Sequence, residues 1–177
     1  MVCIGVIGAM EEEVSSLIQQ MEDAEAKTMA GMTFYHGTLW KQQAVVVKSG
    51  IGKVNMAICT QILVNVYEVD MVINTGVAGG LYKDINVGDI VISSDALQHD
   101  FDVTALGYER GTIPDMETSV FLADTEMVEM AREACEIVNP EIQCFVGRVV
   151  SGDQFISDNK TKKDLIDTFG GYCAEME

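Results

Sequence analysis

Short apolar segments that lead into glycine-rich turns constrain the fold of this chain more than any other feature of its sequence. Residues 2–7 (VCIGVI) and 71–74 (MVIN) are almost wholly apolar and rich in β-branched side chains, as strands covered on both faces are. Apolar residues then recur at helical spacing after the first of these strands, at Val14, Leu17, Ile18 and Met21. Such alternation predicts an α/β three-layer sandwich, with a mixed, mostly parallel central sheet and helices on both faces.

The same patterns predict the remaining elements. Further strands are expected at 33–39, 44–48, 87–93, 144–150 and 172–177. Further helices are expected over 54–66, after Asp124, and after Ser157 or Asp158. The helix over 54–66 is apolar around most of its circumference, so we expect it to be buried on more than one side. Segment 95–118 is polar without a period, which predicts a loop longer than a connection needs.

Composition narrows the range of partners. The 177 residues include 11 Lys and Arg against 28 Asp and Glu, a formal net charge of −17. Such a chain repels the phosphate backbone, so nucleic acid and anionic membrane surfaces are excluded as expected partners. No break in composition marks a linker, so residues 1–177 are predicted to form a single domain.

The cysteines and histidines predict neither disulfides nor a metal site. Five cysteines are an odd number without C-x-x-C spacing, and neither His36 nor His99 has a partner at metal-ligand spacing. No window approaches 18 uncharged apolar residues, and no basic segment followed by an apolar stretch begins the sequence, which favours the cytoplasm.

Two glycine-rich fingerprints fail on inspection, so no nucleotide cofactor is expected. Gly50-Ile51-Gly52 lacks the third glycine of a dinucleotide-binding loop. Lys53 is followed by Val54, where a P-loop needs Ser or Thr.

A ligand site is predicted at the carboxyl ends of the strands, where open α/β sheets bind their ligands. It would be built from segments 8–13, 49–53, 76–80 and 151–156.

Three glutamates in the first of these segments are candidate catalytic carboxylates. By helical phase, Glu12 lies opposite the apolar stripe and should be solvated, whereas Glu11 and Glu13 flank the stripe. Periodicity cannot choose between those two, and acidic residues also stabilise the first turn of a helix without any catalytic role.

Six motifs occur in an order that closely resembles one family. They are GAMEEE (8–13), SGIGK (49–53), NTGVAGG (74–80), HD with DVTA (99–100 and 102–105), SGDQFI (151–156) and EME (175–177). Together they resemble the 5'-methylthioadenosine/S-adenosylhomocysteine nucleosidases, hydrolases of the nucleoside phosphorylase superfamily. The resemblance runs from the first strand to the last residue.

The resemblance implies a reaction in methionine salvage, without a cofactor and in a homodimer. Water cleaves the N-glycosidic bond of 5'-methylthioadenosine or S-adenosylhomocysteine, releasing adenine and a 5-thio-substituted ribose. Glu13 would be the general base that activates the water. Because the sugar becomes oxocarbenium-like, carboxylates near the ribose fit this chemistry. No arginine lies in the four loops to bind phosphate, which favours water as the nucleophile.

The resemblance also assigns substrate-binding residues. Glu177 would bind ribose hydroxyls, with Met176 beneath the sugar and Glu175 close by. Phe155 would stack on adenine, and the Ile156 backbone would recognise the edge of the base. Val77, Ala78 and Gly79 would line the base and sugar site, Met10 and Ile51 would form the pocket wall, and Leu106, Tyr108 and Pro114 would close the 5' pocket of a partner subunit.

The sequence departs from the family pattern at two places. The family's general acid is an aspartate in a Ser-Asp segment after the Glu-Met-Glu motif, and residues 1–177 hold neither that segment nor the final strand and helix. A chain limited to these residues is expected to expose core surface and, without the acid, to be severely impaired. Val77 also stands where the family commonly has serine. Two alternatives stay open: a hydrolase or phosphorylase of another nucleoside, and a non-catalytic nucleoside-binding protein.

Overall fold

The computed structural model describes residues 2–177 and divides them into two compact units. The first unit comprises the residues up to 77 together with residue 177, and the second comprises residues 78–176. Each unit contains one five-stranded sheet. The prediction that residues 1–177 form one domain stays a prediction, and the two units are described separately.

The first unit combines a parallel core with an antiparallel extension. The sheet order is β2-β3-β4-β1-β5, in which β1 is parallel to β4 and β5 while β2, β3 and β4 are joined antiparallel. Its strands are β1 (Cys3–Gly8), β2 (Glu22–Met29), β3 (Met32–Leu39), β4 (Gln42–Lys48) and β5 (Met71–Asn74), and its helices are α1 (Glu11–Gln19) and α2 (Lys53–Val66).

Helices cover both faces of this sheet. Side chains alternate between faces along a strand, so Val6 packs with Val14 of α1 while Ile7 packs with Leu63 of α2. Gly5 lets α2 approach closely, since a Cβ there would lie 3.0 Å from the Leu63 Cδ1 atom. The predicted arrangement of helices on both faces is confirmed for this sheet.

The edge strands of the first sheet differ from the sequence expectation. Strand β2 was not predicted, because its sequence EDAEAKTM is polar and almost entirely exposed, and hydrogen bonding to β3 alone defines it. Strand β5 was predicted to be covered on both faces, but Ile73 is 40% exposed at the other edge of the sheet. Both strands lie at the ends of the sheet order, where neighbouring elements cover them less. The order of the strands in the sheet therefore explains both differences.

Helix α2 is buried on one side only. Cys59 and Leu63 are fully buried, whereas Val54, Ile58 and Val64 on the opposite side are 69%, 42% and 47% exposed. The expectation that this helix would be buried on more than one side is therefore wrong for the single chain. Its second apolar side faces outward, where a partner surface can cover it.

The second unit has the sheet order β6-β10-β9-β7-β8. Strand β9 is parallel to β7 and β10, and the two-residue strands β6 and β8 are antiparallel at the edges. The strands are β6 (Gly79–Gly80), β7 (Ile90–Gln98), β8 (Phe121–Leu122), β9 (Cys144–Ser151) and β10 (Cys173–Glu175), and the helices are α3 (Thr125–Val138) and α4 (Asn159–Phe169).

Aspartates begin both helices of this unit. Asp124 accepts a hydrogen bond from the Met127 N–H at 2.9 Å, and Asp158 accepts one from the Thr161 N–H at 2.9 Å. Asp158, rather than Ser157, is thus the N-cap of α4. The hydrogen bonds from Thr161 also lower the pKa of the Asp158 carboxyl.

The α/β class is confirmed, but the prediction of one mostly parallel central sheet is wrong in two respects. There are two sheets, and four of their eight strand pairings are antiparallel among the described residues. Parallel pairing is limited to β1, β4 and β5 in one sheet and to β7, β9 and β10 in the other. Strand β7 also runs on to Gln98, and a short 3-10 helix spans Thr104–Leu106, so part of the predicted loop 95–118 is regular.

None of the helices in the described part of the chain has both the length and the apolar character needed to cross a membrane. The five cysteines are free thiols, and burial raises the pKa of Cys59 to about 12.

Candidate active site

The Glu13 carboxylate is fixed by two backbone N–H groups. Its Oε2 atom accepts a hydrogen bond from the Met10 N–H at 2.9 Å, and its Oε1 atom accepts one from the Val77 N–H at 2.9 Å. The first bond closes the turn at the start of α1, and the second ties the carboxylate to the chain that leaves β5. An ionised carboxylate has about four acceptor positions, so two remain for other ligands.

Two glycines leave room for this carboxylate. A Cβ at Gly76 would lie 2.7 Å from the Glu13 Oε1 atom, and a Cβ at Gly8 would lie 2.9 Å from the Glu13 Cβ atom. Distances below 3.0 Å cannot be accommodated unless something shifts. The sequence placed both glycines in candidate ligand loops, but only the structure reveals that they create the space that Glu13 occupies.

The three glutamates of the first loop have different surroundings in the structure. Glu13 is half-buried at the carboxyl end of β1, whereas Glu11 and Glu12 are exposed. Glu11 forms an ion pair with Lys48 at 2.9 Å, and this contact raises the pKa of the Lys48 ammonium group. Glu13 alone of the three has its carboxylate bound to the backbone of another predicted ligand loop.

Three of the four predicted ligand loops follow the carboxyl ends of the parallel strands of the first sheet. Parallel register places Gly8 opposite Lys48 and Ile7 opposite Asn74, so β1, β4 and β5 end together. The Ser49 N–H donates to the Gly8 carbonyl at 2.9 Å, which joins the first two loops. Ile51 is 52% exposed and Val77 is 74% exposed, so both residues are accessible to solvent. Met10, at the start of α1, is half-buried.

In the second unit, several candidate residues lie at or just beyond the carboxyl ends of neighbouring strands. Strands β7, β9 and β10 end together, because Ser151 pairs with both Gln98 and Glu175. On the other side of β10, Ala174 pairs with Gly79. Ser151 at the start of loop 151–156, Gly79 and Glu175 are thus held by neighbouring strands of this unit, and Ala78 adjoins Gly79.

Phe155 and Ile156 differ in exposure. Phe155 is 84% exposed. Ile156 is half-buried and packs against the core of the second unit, which contains Leu97 and Leu165. The packing of Ile156 therefore fixes the end of loop 151–156 on the core of this unit. Met176 and Glu177 are half-buried, and Glu177 groups with the first unit, which also holds Glu13.

The three residues assigned to a partner's pocket lie after β7. Leu106, in the 3-10 helix, is 73% exposed, and Tyr108 is 43% exposed. Pro114 is half-buried. Nearby, hydrogen bonds from the Thr104 N–H and hydroxyl lower the pKa of the Asp102 carboxyl.

All three arginines of the chain are paired with carboxylates. Arg110 contacts Asp164 at 2.6 Å, Arg148 contacts Asp95, and Arg132 contacts two glutamates of α3. Within residues 2–177, no three His, Cys, Asp or Glu side chains are grouped so that they could hold a metal ion.

The sequence matches the family model of the phosphorylase superfamily over residues 3–177. The chain therefore belongs to the phosphorylase superfamily. Within that superfamily it falls among the 5'-methylthioadenosine/S-adenosylhomocysteine nucleosidases, as similarity to individual proteins shows.

One such relative is the nucleosidase of this name from Bacillus cereus. It is 46% identical over 175 residues, which are 98% of this chain and 75% of the relative. The crystal structure of the Neisseria meningitidis nucleosidase, in complex with methylthio-immucillin-A, matches with a TM-score of 0.94 at 36% identity. The match covers 100% of this chain and 76% of that one.

The nucleosidase from Colwellia psychrerythraea, in complex with adenine, matches with a TM-score of 0.94 at 38% identity. This match covers 99% of this chain and 73% of that one. The chain thus spans about three quarters of the length of these relatives.

Proposed function

We propose that this protein hydrolyses the N-glycosidic bond of 5'-methylthioadenosine and S-adenosylhomocysteine in the cytoplasm. Water attacks the ribosyl carbon, adenine leaves with the electrons of the broken bond, and a 5-thio-substituted ribose remains. A proton from the water passes to Glu13, and the leaving adenine takes a proton from solvent water at a ring nitrogen, because residues 1–177 hold no aspartate at the position of the family's general acid. We therefore expect turnover to be slow. The observation that supports this proposal is the position of the Glu13 carboxylate, which two backbone N–H groups hold just beyond the carboxyl end of β1.

The fixed carboxylate suits a general base. Bonds to two backbone N–H groups hold both oxygens without a flexible partner side chain, so the carboxylate is oriented before substrate arrives. The attacking water would be held on one of the remaining acceptor positions of the carboxylate. Negative charge there also stabilises the positive charge that develops on the sugar.

The substrate-binding roles are proposals supported by exposure and by the resemblance. We propose that Phe155 stacks on adenine, that the Ile156 backbone recognises the base edge, and that Glu177 binds ribose hydroxyls. The other proposed contacts are Met10, Ile51 and Val77 in the first unit and Ala78, Gly79, Glu175 and Met176 in the second.

Water, rather than phosphate, is the proposed nucleophile. Phosphorolysis needs cations for the attacking phosphate, and every arginine of this chain is already paired with a carboxylate. We expect adenine release from 5'-methylthioadenosine to be equally fast with and without inorganic phosphate, measured by chromatography of both products. The sugar product should be the free thioribose rather than its 1-phosphate.

Other outcomes of this assay identify the alternatives. Release that requires phosphate would assign a phosphorylase. Binding of the nucleoside by calorimetry without any turnover would assign a non-catalytic binding protein, and cleavage of other nucleosides alone would assign a different substrate. Each of these results would contradict the proposed function.

We also propose a homodimer that covers the outer side of α2. Val54 and Ile58 are exposed there, and the resemblance implies that Leu106, Tyr108 and Pro114 close the pocket of a partner subunit. An apolar surface of this kind is typical of an interface.

Placing a charge on this side of α2 should dissociate the dimer. In sedimentation velocity experiments, we expect the protein to have twice the chain mass and Ile58→Glu to have the mass of one chain. The buried charge of the variant is costly in an apolar interface. Val87→Glu, at a fully exposed loop valine of the second unit, is the matched control and should remain dimeric. A parent protein with the mass of one chain would contradict the proposal.

A further inference from the structure

Loop 151–156, which we call the adenine loop, leaves the second sheet between two neighbouring strands. The His99 N–H, just after β7, donates to the Ser151 carbonyl at 2.9 Å. The Gly152 N–H donates to the carbonyl of Glu175, at the end of β10, at 3.1 Å. Ser151 and Gly152 are buried, so the first two residues of the loop are held on both sides.

Beyond Gly152 the loop is exposed, and a side chain from the neighbouring segment holds its backbone. The Asp100 Oδ2 atom accepts a hydrogen bond from the Asp153 N–H at 2.9 Å. The chain then turns sharply, because the Gln154 N–H donates to the Gly152 carbonyl at 2.6 Å. Phe155 follows directly. Asp100 therefore fixes the backbone two residues before the exposed ring.

The packing of Gly152 places the loop against the same segment. A Cβ at Gly152 would lie 2.4 Å from the His99 Nε2 atom and 3.0 Å from the Asp100 Cγ atom. The His99 side chain is buried, with the residue 3% exposed, so it cannot move aside freely. The backbone of the loop thus lies directly on His99 and Asp100.

Space is available for the loop to move if the Asp100 bond is lost. A cavity of about 210 Å³ borders His99, Asp100 and Gln154. Without the bond, residues 153–155 could adopt several positions beside this cavity. Ordering them would then reduce the free energy gained on binding a ligand.

We propose that Asp100 is a positioning residue for adenine recognition. Through the Asp153 N–H, its carboxylate fixes the backbone that presents the Phe155 ring and leads to the Ile156 amide. The bond from the Asp153 N–H to the side-chain oxygen of Asp100 orders the loop before the base binds, so less ordering is needed on binding. This inference rests on the proposed function, since it requires adenine to bind at Phe155 and Ile156.

The test is calorimetric titration with adenine, which does not depend on turnover. We expect Asp100→Ala to bind adenine at least about tenfold more weakly than the parent. Asp100→Asn should stay within about threefold of the parent, because its amide oxygen can still accept from the Asp153 N–H. Rescue by the amide distinguishes positioning from a need for negative charge at this place.

Asp89→Ala is the matched control, because it also removes an aspartate carboxylate that accepts a hydrogen bond from a backbone N–H. The Asp89 carboxylate also accepts from a backbone N–H, that of Asn86 at 2.7 Å, but it lies before the start of β7. We expect this variant to lose thermal stability and to retain the parent affinity for adenine. Equal weakening in Asp89→Ala and Asp100→Ala would show general destabilisation and overturn the inference.

A second variant covers the case in which Asp100→Ala shows no cooperative thermal transition. Gly152→Ala forces the loop away from His99, and we expect it to weaken adenine binding by a similar factor. Parent-like affinity in a folded Asp100→Ala, or in Gly152→Ala if the first does not fold, overturns the inference alone. A parent protein that binds no adenine overturns the proposed function and the inference together.

Discussion

Replacing Glu13 with glutamine is expected to slow adenine release by a factor of roughly 10² to 10⁴, the usual contribution of a general base. The amide cannot take the proton from water. In addition, Glu13 accepts N–H bonds on both oxygens, and the amide NH2 group would face one of these donors. The single-turnover rate of adenine release from 5'-methylthioadenosine measures the effect.

Glu12→Gln is the control for this substitution. It removes the same charge from the same helical turn, but Glu12 is exposed. We expect its rate to equal that of the parent. A correctly folded Glu13→Gln protein with the parent rate would exclude Glu13 as the base and favour a non-catalytic role for the site.

Gly76→Ala is expected to lower kcat on the order of 10²-fold, although residue 76 has no reactive group. The new methyl group would lie 2.7 Å from the Glu13 Oε1 atom and 3.0 Å from its Cδ atom, so the carboxylate must move. Its bond to the Val77 N–H is lost or lengthened as a result. Steady-state kinetics with 5'-methylthioadenosine, with circular dichroism to establish folding, measure the effect.

The control is Gly31→Ala, in the turn between β2 and β3. Gly31 has a φ of +80°, and no neighbouring atom lies within 4 Å of the position that an alanine Cβ would take. Alanine there is therefore strained but displaces no neighbour. We expect a loss of stability of about 1 kcal/mol and the parent kcat. If Gly76→Ala folds and retains the parent kcat, the glycine does not serve to make room for Glu13.

The buried strands and their helices were largely predictable from local sequence. Apolar runs and helical spacing indicated β1, β4 and α2 within a few residues, because burial imposes a pattern on the side chains. Strand β2 left no such pattern, since both of its faces are exposed and its existence depends on hydrogen bonding to β3. The partition of the strands into two mixed sheets likewise depends on long-range pairing.

The candidate site shows the same division. The order of the motifs along the chain indicated the family, and the resemblance to that family proposed Glu13 as the general base. Helical phase alone could not distinguish Glu11 from Glu13. The structure separated them, because Glu11 pairs with Lys48 on the surface while Glu13 is bound by the Val77 N–H. The position of Asp100 beneath the adenine loop was also hidden, since its partner Asp153 lies 53 residues away along the chain.

The sequence by itself determined the α/β class, the strand and helix order of the buried elements, and the chemistry available at the glycine-rich loops. These properties follow from the composition and spacing of neighbouring residues. Only the tertiary structure decided which strands pair, which side of α2 stays exposed, and which glutamate is held in place. Each of these depends on contacts between residues far apart in the chain, and no local pattern records such contacts.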